Sequence, residues 1–171
     1  GRREASLRMI ADAKASGARV AVNGSDAADA PDLYISAGAD AVLLGEPDRT
    51  FLEVVERWER DPLADLSDVP GLALPARAVG AFAPAVRTAP RPFVQDLDAL
   101  PFPAWDLVDI PKYRAAWTGA HGRLSWNVVT TRGCPYKCNW CAKPLYGVRY
   151  AQRSPGNVAD EMARLKQTVG P

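Results

Sequence analysis

Cys134, Cys138 and Cys141 are all the cysteines this chain has, and they lie in one run, Arg132-Gly133-Cys134-Pro135-Tyr136-Lys137-Cys138-Asn139-Trp140-Cys141. The gaps are three residues, then two. Three thiolates on one short loop can hold three irons of a cubane cluster and leave the fourth iron without a protein ligand. An open iron is a place where a small molecule binds and receives an electron. Thiolates are soft ligands, suited to zinc or to iron–sulfur clusters. Structural zinc asks for four closed ligands, commonly as two spaced pairs. Only one triplet is present, with the single histidine, His121, as a fourth candidate. An odd, tightly spaced set of cysteines is not a disulfide framework and reads as metal binding or reactive thiols in a reducing, cytoplasmic compartment.

The surroundings of the loop are basic. Residues 127–171 carry seven Lys or Arg against two Asp or Glu, whereas the rest of the chain has fourteen against eighteen. That local excess suits a negatively charged cluster or an anionic ligand. The whole chain has a net charge of +1, which argues against nucleic-acid binding driven by bulk charge. Apolar residues make up 47% and charged residues 24%, so a packed core is expected. No apolar run is long enough for a membrane span. The opening Gly1-Arg2-Arg3-Glu4 has no apolar signal core behind it and no initiating Met, so an internal piece of a longer protein is expected.

The elements that must position the loop come in three stretches. Residues 1–61 alternate helix and strand signals. Leu7, Ile10 and Ala13 recur at helical spacing, with Gly17 as a stop. Residues 19–22 and 41–44 are short apolar strands, each running into a turn: Asn23-Gly24-Ser25-Asp26 and Gly45-Glu46-Pro47-Asp48. Pro31 opens a short helix. A stronger helix follows Asp48, its expected cap, with Phe51, Leu52, Val55 and Trp58 on one face. Two parallel strands joined by helices form part of a doubly wound α/β sheet, which usually has about five strands. The rest of the sheet must come from elsewhere.

Residues 62–123 hold nine of the fifteen prolines between Pro62 and Pro111. That density opposes long helices and central strands. The stretch reads as a connector with short strands near 72–76 and 93–95, packed through Leu97, Leu100, Phe102, Trp105 and Leu107. Residues 119–123, around His121, read as a polar loop. In residues 124–171 a strand is expected over 124–130, then the cysteine loop, then a helix capped by Ser154 with Pro155 in its first turn. Val158, Met162, Leu165 and Val169 would line that helix's buried face. A loop at the carboxyl end of a parallel strand is where α/β folds place active sites.

The cysteine triplet, with Trp140 before its last member and Arg132-Gly133 before its first, resembles that of the radical S-adenosylmethionine enzymes. Residues 131–150, continuing to Arg153-Ser154-Pro155, are similar to the subset with a cobalamin-binding domain. So are the run from Asp96 to Pro103, the turn Asn23-Gly24-Ser25-Asp26, and the run from Gly38 through Gly45-Glu46. The resemblance is colinear and covers nearly the whole chain. It implies an α/β protein: the later part of a Rossmann-like, doubly wound cobalamin-binding domain, a Pro-rich connector, and the first β/α unit of a radical barrel.

It also implies roles. Cys134, Cys138 and Cys141 would ligate a 4Fe–4S cluster. S-adenosylmethionine would chelate the open iron and be cleaved to a 5′-deoxyadenosyl radical on one-electron reduction. Cobalamin would deliver a methyl group to a small-molecule substrate in many relatives. An electron donor such as flavodoxin or ferredoxin would be the partner. Asn23, Gly24, Ser25, Gly45 and Glu46 would face the cobalamin, and Trp140 would shield the cluster or be plain core. A methyltransferase is the first reading, and an oxidative cyclase or rearrangement enzyme the second. A zinc-stabilised interaction module is the rival from another class. The absence of any cysteine before Cys134 speaks against a methylthiotransferase.

Overall fold

The computed structural model describes residues 1–76, 84–141 and 148–170. These divide into two compact units. Gly1–Phe93, with Trp140 and Cys141, form the first; Val94–Asn139 and residues 148–170 form the second. No helix among the described residues is long and apolar enough to cross a membrane.

The first unit is a sheet with helices on both faces. Helix α1 spans Arg2–Ala15, strand β1 Ala21–Asn23, helices α2 and α3 Ser25–Asp29 and Pro31–Ser36, strand β2 Ala41–Leu43, and helix α4 Asp48–Arg60. β1 and β2 run parallel, with Ala21 opposite Ala41 and Asn23 opposite Leu43. The sheet is completed from within the proline-rich stretch. Strands β3 (Leu72–Leu74) and β4 (Val86–Arg87) add on antiparallel, giving the order β1-β2-β3-β4.

Side chains alternate across this sheet as a period of two requires. Ala41, Leu43 and Leu72 pack with Val54 of α4, and with Leu66 and Val69. Val42 and Ala73 face the other way, against Ile10, Ala27, Tyr34 and Ala39. On α4 the buried positions are Thr50 and Val54; Phe51 and Leu52 are exposed, unlike the face expected from periodicity. Buried Thr50 donates to the carbonyl of Pro70, which explains how a polar side chain serves on that face. Helix α4 begins after Pro47, and Asp48 is its first residue rather than its cap.

The second unit holds strands β5 (Thr131–Gly133) and β6 (Tyr150–Gln152), helix α5 (Ile110–His121) and helix α6 (Pro155–Thr168). β5 and β6 are antiparallel, with Arg132 opposite Ala151. This unit departs from the sequence expectation at several points. Residues 93–95 form no strand. Residues 124–130 do not form one either: the Val129 carbonyl is taken by the Arg153 side chain, and the strand begins only at Thr131. And α5 occupies part of the stretch read as a connector. Pro111 lies in its first turn, where proline is tolerated, and the Asp109 carboxylate caps it by accepting from the Lys112 amide at 3.1 Å. His121 is therefore the last helical residue, and Gly122 terminates the helix with φ +73°. Helix α6 is capped as expected: Ser154 Oγ accepts from the Asn157 amide at 3.1 Å. Its buried face is Glu161, Leu165 and Val169, while Met162 is exposed.

Candidate cofactor cradle and cysteine loop

The parallel pairing of β1 and β2 brings two turns to one edge of the first unit. Asn23 is opposite Leu43, so Asn23-Gly24-Ser25 and Leu44-Gly45-Glu46 leave the sheet side by side at the carboxyl ends of their strands. That edge is where open α/β sheets bind ligands. Gly24 has φ +140° and Gly45 has φ +70°, and a Cβ added at either would meet no atom within 4 Å. The glycines are needed for backbone conformation and leave the main chain open to a ligand. Asn23 Nδ2 donates to the Leu43 carbonyl at 3.2 Å, tying the two strand ends together. Glu46 is 8% exposed, a buried carboxylate beside the open glycine.

Asp26, one residue past Ser25, anchors the first turn. Its carboxylate accepts from Arg3 Nε at 2.8 Å, from Arg3 Nη2, and from the Tyr34 hydroxyl at 2.6 Å. Hydrogen bonds from Arg3 and then Tyr34 hold the Asp26 carboxyl down at about 2. The same bond to Asp26, with burial, pushes the Tyr34 phenol up. At the opposite end of the strands Asp40 plays a similar part. It accepts from Lys14 at 2.9 Å, Arg19 at 2.8 Å and the Val20 amide at 2.7 Å. Burial pushes its carboxyl up, but Lys14, Val20 and Arg19 outweigh that and leave it lowered.

In the second unit, Gly133 (φ +79°) turns the chain out of β5 directly into Cys134. The cysteines are free thiols. Cys134 is part-buried, and Cys138 and Cys141 are exposed. Cys134 and Cys138 belong to the second unit and Cys141 to the first. Among the described residues no three His, Cys, Asp or Glu side chains stand close enough to hold a metal ion. As a donor set, three free thiols close together in sequence suit the soft-ligand chemistry of an iron–sulfur cluster. The His121 ring packs, tilted by 51°, against Trp117, with the centroids 4.8 Å apart. Trp140 is 88% exposed, so it is not core.

Beside the base of this loop lies a charge pair that the sequence reading did not single out. Arg153, directly after β6, donates to Glu161 of α6; their side chains are 11% and 1% exposed. Arg153 Nε also donates to Asn157 Oδ1 at 2.6 Å, and Nη1 to the Val129 carbonyl at 2.9 Å. A cavity of about 120 Å³ is lined by Phe102, Trp105, Asn127, Arg132, Arg153 and Glu161, among others. Trp105 Nε1 is buried with no hydrogen-bond partner among the described residues. An acidic residue on an otherwise apolar helix face was the available signal for Glu161.

No protein-family model matches the chain. It is 32% identical over 132 residues to an uncharacterized methyltransferase of Pyrococcus horikoshii, covering 77% of this chain and 26% of that protein. It is 30% identical over 131 residues to the anaerobic magnesium-protoporphyrin IX monomethyl ester cyclase of Synechocystis sp., covering 77% and 24%. The chain thus spans about a quarter of these relatives' length. Among solved structures it resembles the radical S-adenosylmethionine methyltransferase TsrM of Kitasatospora setae, with 22% identity. The TM-score is 0.68 for the form with tryptophan substrate and aza-SAM, over 94% of this chain and 30% of that one. It is 0.67 for the form with cobalamin and a [4Fe-4S] cluster, over 94% and 31%. The fold is therefore shared across nearly all of this chain.

Proposed function

Because this chain belongs to the radical S-adenosylmethionine proteins that carry a cobalamin-binding domain, we propose that it forms the cobalamin cradle and the cluster loop of an enzyme that transfers a methyl group to an unreactive carbon. The observation that carries this is the cysteine triplet itself: all three thiols of the chain fall between paired strands β5 and β6 in sequence, with Cys138 and Cys141 exposed. When bound, a 4Fe–4S cluster with S-adenosylmethionine supplies one-electron reductive cleavage, and cobalamin supplies a transferable methyl group.

The residues then divide the work. Cys134, Cys138 and Cys141 hold the cluster as thiolates. Gly24 and Gly45 let the cofactor approach the backbone, while Asn23 keeps the two turns in register and Ser25 offers a hydroxyl at the exposed start of α2. Glu46, buried next to Gly45, lies beside that approach. Trp140, exposed and adjacent to Cys141, shields the cluster. The substrate is a small molecule, and an electron donor of the flavodoxin or ferredoxin kind delivers the electron.

The test is anaerobic reconstitution with iron and sulfide, followed by EPR of the reduced protein with and without S-adenosylmethionine. A reduced 4Fe–4S signal that shifts on adding the ligand supports the reading. Tightly held zinc with no iron uptake overturns it and leaves the structural module. A cyclase is the second reading, favoured by the 30% identity to the Synechocystis cyclase. Methyl transfer from labelled S-adenosylmethionine to product separates the two.

A further inference from the structure

The run from Asp96 to Pro103 looks like a linker in sequence, but its side chains grip the segment that follows the cysteine loop and helix α6 behind it. Asp98 Oδ1 accepts from the Ser154 amide at 2.9 Å, at the cap of α6. Hydrogen bonding to Ser154 holds the Asp98 carboxyl below its usual range. Asp98 is itself set by a local turn, in which its amide donates to Asp96 Oδ1 at 3.0 Å. Leu97, between them, is 4% exposed. Four residues on, the Phe102 ring lies 5.4 Å from the Arg153 guanidinium and 5.5 Å from that of Arg164.

Arg153 and Ser154 directly follow β6, which closes the base of the cysteine loop by pairing with β5. The Arg153 amide extends that pairing by donating to the Thr130 carbonyl at 2.9 Å. One chain of contacts therefore runs from Asp98 and Phe102 through Ser154 and Arg153 to Thr130, Gly133 and Cys134.

From this geometry we propose that Asp98 and Phe102 are positioning residues for the cluster loop: they latch the return strand β6 so that the loop's two ends are held at a fixed separation when the thiols bind iron. The inference rests on the cluster-binding reading above. Its physical basis is pre-organisation. A β5–β6 base that is already held in place need not be ordered when the thiols take up iron. Neither residue touches the cluster; they act through Ser154 and Arg153.

Asp98→Ala removes the acceptor, while Asp98→Asn keeps a carbonyl oxygen in its place. The chain is reconstituted anaerobically with ferrous iron and sulfide in all three forms. Iron and sulfide per chain and the EPR g-values of the reduced cluster are measured. Amide hydrogen exchange at Arg132 and Ala151 is followed in the unreconstituted protein. For Asp98→Ala we expect at least a twofold loss of retained iron, shifted or broadened g-values, and exchange about tenfold faster at those amides, in line with a lost cap contact. Asp98→Asn should restore all three. Unchanged iron, g-values and exchange in Asp98→Ala, beside a wild type that takes up the cluster, overturns the latch alone. A wild type that takes up no iron overturns the cluster reading and the latch with it. Phe102→Leu, which keeps apolar volume and removes the ring face under both arginines, is the second variant. It should lower iron retention in the same direction.

Discussion

Asn23 donates its side-chain amide to the Leu43 carbonyl, joining the ends of two parallel strands at the point where both turns of the candidate cradle begin. A residue read from sequence as a cofactor contact is thus also a structural tie. Asn23→Ala should cost about 1 kcal/mol, the usual worth of such a bond. It should also weaken binding of hydroxocobalamin, because the two turns lose their common register. Urea denaturation and a visible-absorption titration measure the two effects. Cofactor binding that is untouched beside a lowered stability would leave Asn23 purely structural.

The two cradle glycines should respond to substitution through the backbone, since a Cβ meets open space at both. Gly45→Ala, at φ +70°, lies in the left-handed region and should cost about 1 kcal/mol. Gly24→Ala, at φ +140°, is in a conformation that L-residues rarely adopt and should cost about 1–3 kcal/mol. Denaturation midpoints order the two. Equal or reversed costs would mean that the turns relax around the new side chain.

Breaking the buried pair in the second unit should be the most damaging single change among these predictions. Glu161→Ala leaves the Arg153 guanidinium, 11% exposed, without its carboxylate, and should cost about 3–5 kcal/mol. Glu161→Gln keeps an oxygen acceptor and should cost distinctly less. Far-UV circular dichroism during chemical unfolding measures both. Similar, small losses for the two variants would show that the pair contributes little.

Asp26 makes the first unit sensitive to acid. Its carboxyl is lowered from 3.8 to about 2 in the folded protein, chiefly by the Arg3 hydrogen bonds. A lowered folded value means stability that is present above the unfolded value and lost as pH falls through the folded one. The window therefore runs from about pH 4 down to about pH 2. Asp26→Asn should unfold at a lower temperature than wild type at pH 5, and the gap should close toward pH 2. Melting curves across that range give the slope, and parallel curves would remove Asp26 from the acid response.

Each cysteine should matter for iron uptake, without a comparable effect on folding. Cys138 and Cys141 are exposed, so Cys138→Ser and Cys141→Ser should leave the melting temperature within about a degree, as exposed substitutions usually do. Both should abolish stable cluster incorporation, read from the iron-to-protein ratio. Full incorporation in either variant would mean that the loop's thiols are not the ligands.

The sequence by itself determined the local units. Apolar runs ending in glycine turns announced β1 and β2, because buried parallel strands are continuous in hydrophobicity. Ser154 followed by Pro155 announced α6, because capping chemistry is local. The proposal of a soft-metal loop rests on the cysteine spacing alone, since ligand type and reach are properties of a few neighbouring residues. What only the tertiary structure decided was where long-range partners come from. Leu72 and Val86 complete the sheet from a proline-rich stretch, because strand pairing joins residues far apart in sequence. Pro111 turned out to open α5, because its position in the first turn, and not its presence, sets its effect. Glu161 is buried on α6 because Arg153 meets it from the end of β6, a charge compensation that helical periodicity cannot reveal. The pairing of β5 with β6 fixed the base of the cysteine loop, since a backbone ladder exists only once both strands are in place.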